Sequence, residues 1–324
     1  MKTVTLVGCG NIGVRHLQAL LNIKEPLNIQ VMARSSVSQK RAKDTINNSS
    51  FNTGHISIEW HTSVDTLQKA DLCIVATTAI GRTEVLLKLL ERDNKIFLIE
   101  KLVCQSDQEY LKLLDAFSSR KAKGWVNCYR RYCPFYRELK DELKGSRHII
   151  AKITGGNHGL GCNAIHYVDL FCYLKDSPVS EISGDFLDNR LHQNRRSDKL
   201  VEFSGTLIAK TADDNFLDIT FAELSKGSFI VSILGEGICC VIDEWKEKAQ
   251  IALASEGWNW HDYDFENLLV SRVTTDIATE IMDTGQCALA SIEESYAYHR
   301  ALFDVFNKHI HKLTGVLPDA CPIT

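Results

Sequence analysis

Hydrophobic and polar positions change their rhythm partway along the chain. Up to about residue 127, short apolar runs alternate with stretches of helical period. Val4–Val7, Ile29–Ala33, Ile56–Trp60, Asp71–Ala76, Lys95–Ile99 and Gly124–Asn127 read as strands. Ile12–Ile23, Ser38–Ile46, Val64–Lys69, Glu84–Arg92 and Gln108–Phe117 read as helices. Apolar runs without alternation mark strands covered on both faces, as in a parallel sheet. Strands alternating with helices therefore predict a doubly wound α/β domain over residues 1–127.

Beyond that point the pattern is different. Pro134–Leu143 and Ala164–Leu174 have helical period, and Ile149–Thr154 reads as a strand. Residues 179–254 are rich in strands separated by Gly and Asp turns: Leu207–Lys210, Phe216–Phe221, Ser228–Leu234, Cys239–Asp243 and Gln250–Ala254. Helices return at about 275–284 and 293–312. Strands bracketed by helices predict an α+β domain with a mainly antiparallel sheet over 128–324. The polar stretch Asp188–Lys199 reads as an exposed tip, and no internal repeat is present.

Composition narrows the function. The 324 residues carry 37 basic and 41 acidic side chains, a formal charge of -4, which gives no general attraction to nucleic acid or anionic lipid. No apolar run approaches the ~18 residues of a membrane span. The 11 cysteines are odd in number and contain no CxxC pair, so no metal site is expected. Most lie in apolar runs and read as reduced core thiols. With an N-terminus that makes a poor signal peptide, they point to the cytoplasm.

Gly8-Cys9-Gly10-Asn11-Ile12-Gly13 is a GxGxxG between a strand and an amphipathic helix. In that context Gly8 permits a tight turn, Gly10 lets a pyrophosphate approach the backbone, and Gly13 lets helix and strand pack closely. The phosphates would rest on helix N–H groups. The end of the second strand reads Val31-Met32-Ala33-Arg34-Ser35-Ser36, without the acid that binds an NAD ribose. Arg34 and Ser35 instead suit a 2′-phosphate, so NADP is favoured over NAD. The alternative is that Arg34 stacks on adenine or faces solvent.

Ligands of open parallel sheets lie beyond the strands' C-terminal ends. Thr77-Thr78 and Glu100-Lys101 emerge there, and Lys101 is a candidate for holding or donating a proton. The bland reading is a surface lysine paired with Glu100. In the second domain, Asn163, His166 and Asp169 fall at i, i+3 spacing, with Cys162 one turn before His166. Asp169 would orient His166, which accepts or relays a proton, and Asn163 is a candidate N-cap. The Gly-rich approach at 155–161 favours this functional reading over a core histidine. A thiol-redox role for Cys162 is disfavoured by the absence of a partner at redox spacing.

In order, GCGNIGVRH, IEKL, NCYRRYCPFYRELK and CNAIHYVDLFCYL resemble the Gfo/Idh/MocA family of oxidoreductases. CALASIEESYAYHRALFDVF resembles its closing helix. The resemblance implies a Rossmann domain, then an α/β domain with a large open sheet that serves substrate binding and oligomer formation. It implies NAD(P)-dependent hydride transfer to or from a sugar, nucleotide sugar or polyol, in a homodimer or homotetramer. Lys101 matches the lysine of the family's Glu-Lys-Pro signature, and His166 the histidine of its Asp-x-x-x-His signature. Arg130 and Arg131 match a basic pair lining the cleft, which makes them, with Asn163, substrate-contact candidates. Three positions depart. Leu102 replaces a proline that is often cis, and leucine would prefer trans. Cys162 replaces the signature aspartate. Arg82 ends a segment, Thr77-Thr78-Ala79-Ile80-Gly81-Arg82, that in the family reads Thr-Pro-Asn-x-x-His. These departures keep open a second reading, a non-catalytic cofactor- or sugar-sensing regulator.

Overall fold

A computed structural model describes residues 1–47, 54–156, 159–194, 197–266 and 269–324. The chain divides into two compact units. The first comprises residues 1–104, 108–129 and 268–294, and the second 105–107, 130–267 and 295–324.

The first unit is a six-stranded parallel sheet. Its elements are β1 (Lys2–Val7), α1 (Asn11–Leu20), β2 (Leu27–Met32), α2 (Ser36–Asn47), β3 (Ile56–His61), β4 (Leu72–Val75), α3 (Arg82–Glu91), β5 (Ile96–Ile99), α4 (Asp107–Ser119) and β6 (Lys123–Val126). The strand order is β3-β2-β1-β4-β5-β6, the doubly wound order with its crossover between β1 and β4. Val4, Leu6, Ile29, Val31, Ile74 and Leu98 are fully buried, as the unbroken apolar runs require. The expected helix at 64–69 is only a single 3₁₀ turn, Val64–Thr66, begun by the Ser63 hydroxyl on the Asp65 N–H. A late helix, Val270–Thr284, also belongs to this unit, so its packing does not follow one cut at residue 127. Thr275 Oγ1 donates to the Ala19 carbonyl at 2.8 Å and ties that helix to α1.

The second unit is built on an eight-stranded sheet. It contains α5 (Pro134–Glu142), β7 (Ile150–Gly155), α6 (Leu160–Lys175), β8 (Val179–Leu187), β9 (His192–Gln193), β10 (Val201–Glu202), β11 (Gly205–Thr211), β12 (Phe216–Phe221), β13 (Ile230–Leu234), β14 (Ile238–Asp243), β15 (Lys248–Leu253) and β16 (Trp260–Asp264). The late helix of the first unit is then α7, and α8 is Ile292–Thr314. Strand order is β16-β15-β14-β13-β7-β12-β11-β8, antiparallel throughout except where β7 lies parallel to β12. Leu217, Ile219 and Phe221 of β12 are buried, while Phe216 on the other face is exposed. That is the alternation of a sheet with one covered face. The sequence reading did not single out β8 or β16. All five residues of β16 are exposed, so no apolar period marks it. Of the polar stretch 188–199 and the glycine-rich approach, residues 195–196 and 157–158 lie outside the described residues.

Candidate functional site

The glycine turn is shaped by close backbone approach. Gly8 has φ +96°, and its N–H donates to the Met32 carbonyl at 2.9 Å. A Cβ there would lie 2.8 Å from the Ala76 backbone, so only glycine fits. A Cβ on Gly13 would lie 2.0 Å from the Gly8 carbonyl oxygen. Gly10 is different: it is exposed, and a Cβ on it would meet nothing within 4 Å. Gly10 is also the N-cap of α1 and offers no side-chain acceptor. The first N–H groups of α1, from Asn11, Ile12 and Gly13, have no acceptor within the helix. The turn is thus tight behind and open in front, the shape that a dinucleotide pyrophosphate fits. Cys9 is buried, and burial pushes its thiol up to about 11, so it stays a neutral wall of the turn. At the end of β2, Arg34 and Ser35 are both exposed. Ser35 Oγ accepts from the Ser38 N–H at 3.1 Å and so begins α2.

Glu100 and Lys101 follow β5, and both are buried. Lys101 is therefore not the surface lysine of the bland reading. Glu100 Oε1 accepts from His16 Nε2 at 2.9 Å and from Asn127 Nδ2 at 2.6 Å. His16 Nδ1 lies 2.9 Å from Thr274 Oγ1 of α7. Burial pushes the Glu100 carboxyl up, but the His16 bond and charge, the Asn127 bond and the Lys101 charge together hold it below the usual carboxylate range. The Lys101–Leu102 peptide is cis, against the trans expected for leucine. The carbonyls of Glu100 and Leu102, on either side of Lys101, both accept from Arg82 Nη1. Arg82 Nη2 donates to the Thr77 carbonyl as well. Thr77 is half-buried and Thr78 exposed. Sequence reasoning treated Arg82 only as a departure, because one residue type cannot reveal three carbonyls brought together by two strand ends.

In the second unit α6 is buried on most sides. Within its segment 160–169, only Asn163 and His166 are half-exposed, so the expected shared face exists. Asp169 lies at the next i+3 position but is buried and bound elsewhere. Its carboxylate accepts from Arg131 Nη2 at 2.8 Å and Nε at 3.0 Å, and from the Tyr298 hydroxyl at 3.3 Å. Arg130 donates to Glu244 through Nε and Nη2, both at 2.7 Å, and Tyr136 and Tyr167 hydroxyls donate to the same carboxylate. Burial raises the Glu244 carboxyl, yet the Arg130 charge and these hydrogen bonds bring it below its ordinary value.

The N-cap of α6 is Gly159, not Asn163. The helix starts one turn early because Phe203 O takes the Leu160 N–H, and Glu202 Oε2 takes the Cys162 N–H at 3.2 Å. Asn163 Nδ2 donates back to the Gly159 carbonyl at 3.1 Å. Glu202, missed by sequence, is a carboxylate placed where a helix N-terminus favours one. Cys162 is buried beside it.

Two other features carry no catalytic geometry. Asp188, His192 and Glu223 come together, but Arg190 pairs with Glu223 and Ser204 donates to Asp188. A cavity of about 280 Å³ lies among Met1, Lys2, Pro26, Leu27 and Met282. It adjoins the starts of β1 and β2, opposite to the ends where ligands of such sheets bind.

No family model matches the chain, and no curated protein matches it in sequence. Solved structures do match over nearly the whole length. UDP-N-acetylglucosamine 3-dehydrogenase GnnA from Acidithiobacillus ferrooxidans aligns at TM-score 0.74 and 13% identity, covering 94% of this chain and 96% of that one. A super-repressor mutant of Gal80p from Saccharomyces cerevisiae aligns at 0.75 and 12%, covering 96% of each. The fold is that of the Gfo/Idh/MocA proteins. An oxidoreductase from Agrobacterium radiobacter, in complex with NAD+, L-tartaric acid and magnesium, shares it at TM-score 0.71 and 12% identity, covering 93% of this chain and 96% of that one. At these identities the Gfo/Idh/MocA likeness is one of fold. Among the described residues no helix is long and apolar enough to cross a membrane.

Proposed function

We propose that the chain is a cytoplasmic NAD(P)-dependent oxidoreductase acting on the CH–OH group of a sugar, nucleotide sugar or polyol. The observation that carries this reading is the turn at Gly8–Gly13, closed to any side chain behind and open at Gly10. Gly8, Cys9, Gly10, Asn11, Ile12 and Gly13 would hold the pyrophosphate by backbone N–H groups, with Thr77, Thr78, Glu100 and Lys101 toward the nicotinamide end. Arg34, exposed at the end of β2 where NAD sites place an acid, supports NADP over NAD. When bound, the nicotinamide supplies or accepts the hydride. Lys101 holds or donates the hydroxyl proton at Nζ, and His166 is the second candidate for that proton at a ring nitrogen. Asn163 shares the half-exposed face of α6 with His166 and is the better-placed substrate contact.

The oxidoreductase named for UDP-N-acetylglucosamine is one member of this fold, and it supports a nucleotide sugar among the substrates to try. The partly apolar open face of the large sheet, with Ile150, Phe216 and Leu234 exposed, supports a homodimer or homotetramer. A non-catalytic regulator is the second reading. It is favoured by the ion pairs that hold both candidate substrate arginines, Arg130 to Glu244 and Arg131 to Asp169.

The test is fluorescence titration with NADPH and NADH, followed by turnover across sugars, nucleotide sugars and polyols. Lys101→Ala is expected to lower turnover by about 10²–10⁴ while leaving NADPH affinity unchanged. Tight NADPH binding with no turnover of any candidate by the wild type would favour the regulator. Unchanged turnover in Lys101→Ala would remove that lysine from the mechanism.

A further inference from the structure

The geometry points to Arg82 as the positioning residue for Lys101, a backbone clamp that holds the lysine's segment from both sides. The argument begins with where carbonyls accumulate. Parallel strands end with C=O groups pointing beyond the sheet, and β4 and β5 are neighbours in register. Thr77 O follows β4, while Glu100 O and Leu102 O follow β5. All three accept from the one guanidinium of Arg82. Arg82 Nε also reaches Thr77 Oγ1 at 3.4 Å. Arg82 is the first residue of α3 and is 1% exposed, so the clamp is anchored on a helix and shielded from water.

A guanidinium suits this task because its donors lie in one rigid plane. No lysine or histidine could serve three carbonyls from a single side chain in the same way. Glu100 is gripped a second time through its carboxylate by His16 and Asn127. Lys101 thus lies between two fixed residues, with its backbone held while its side chain carries the proposed proton chemistry. This inference rests on the reading of Lys101 as the proton-handling group. Misplacement of such a group by about 1 Å costs about 10²-fold in rate.

The test is trace acetylation of the full-length protein with acetic anhydride, read residue by residue by mass spectrometry. It needs no substrate, so it fails independently of the Lys101→Ala turnover experiment. In Arg82→Ala the acetylation rate of Lys101 is expected to rise about tenfold, as a protected segment opens locally. The rates at Lys88 and Lys112, reference lysines of the same unit, should stay unchanged. Millimolar guanidinium is expected to restore protection, whereas methylammonium is not. Arg82→Lys, a gentler variant, should lie between wild type and Arg82→Ala. NADPH affinity should hold within about threefold, since the glycine turn does not depend on the clamp. Unchanged Lys101 labelling in a folded variant overturns the proposal. So does an equal rise at the reference lysines, or failure of both variants to fold, which would make Arg82 a purely structural residue.

Discussion

Each unit buries a glutamate just past the end of a strand, and the two are satisfied in different ways. Glu244, after β14, takes two bonds from the Arg130 guanidinium and one from each of two tyrosine hydroxyls, spread over both oxygens. Glu100, after β5, takes its two side-chain bonds from an imidazole and an amide, both on Oε1. The first arrangement saturates a carboxylate with a permanent cation and staples α5 and α6 to the large sheet. The second leaves the carboxylate less fully enclosed, beside the lysine proposed for chemistry. A fold that needs rigidity in one unit and proton handling in the other has reason to build the two differently.

Removing the carboxylates separates these roles most sharply. Glu244→Ala leaves Arg130 buried without its counter-charge, and the expected loss is about 3–5 kcal/mol in urea unfolding. Glu100→Gln keeps the shape and loses only hydrogen bonds to a charged group, with an expected loss of about 1.5–3 kcal/mol. Equal losses would erase the distinction between the two sites.

Gly13→Ala acts on one site alone. Its Cβ would lie 2.0 Å from the Gly8 carbonyl, so α1 must move off the turn. The expected cost is about 1–3 kcal/mol, with weakened NADPH binding. His16 lies three residues further along α1, so the shift also pulls on Glu100. Gly13→Ala and Glu100→Gln should therefore couple in a double-mutant cycle. Gly13→Ala and Glu244→Ala should add.

The parallel sheet was legible because burial on both faces writes unbroken apolar runs such as Asp71–Ala76. The glycine turn was legible because close backbone approach excludes every other residue at Gly8 and Gly13. Strand β16 was not, since an exposed edge imposes no apolar period. Arg82 and Glu202 were hidden for another reason. Their partners are main-chain carbonyls and N–H groups, which every residue possesses, so only the fold reveals which ones converge. Asn163 shows the same limit at a helix start. Its type suits an N-cap, but Glu202 and Phe203, distant in sequence, supplied the acceptors and moved the cap to Gly159.

The smallest expected effect concerns the sign of a titration. At Glu100 burial acts alone to raise the carboxyl, and the donors from His16 and Asn127 act against it. If the donors prevail, the folded value lies below the ordinary glutamate value of about 4.3. The unfolded state then binds the proton more readily than the folded state does. Stability from Glu100 is complete above about pH 4.3 and drains away as pH falls through the lower, folded value. The measurement is the difference in unfolding free energy between wild type and Glu100→Gln, taken from pH 6 down to the lowest pH at which both fold. That difference should shrink on acidification. A difference that grows would mean that burial prevails and Glu100 is held protonated. It would then be a neutral donor beside Lys101, and the contrast with the ionised Glu244 would become one of charge as well as of partners.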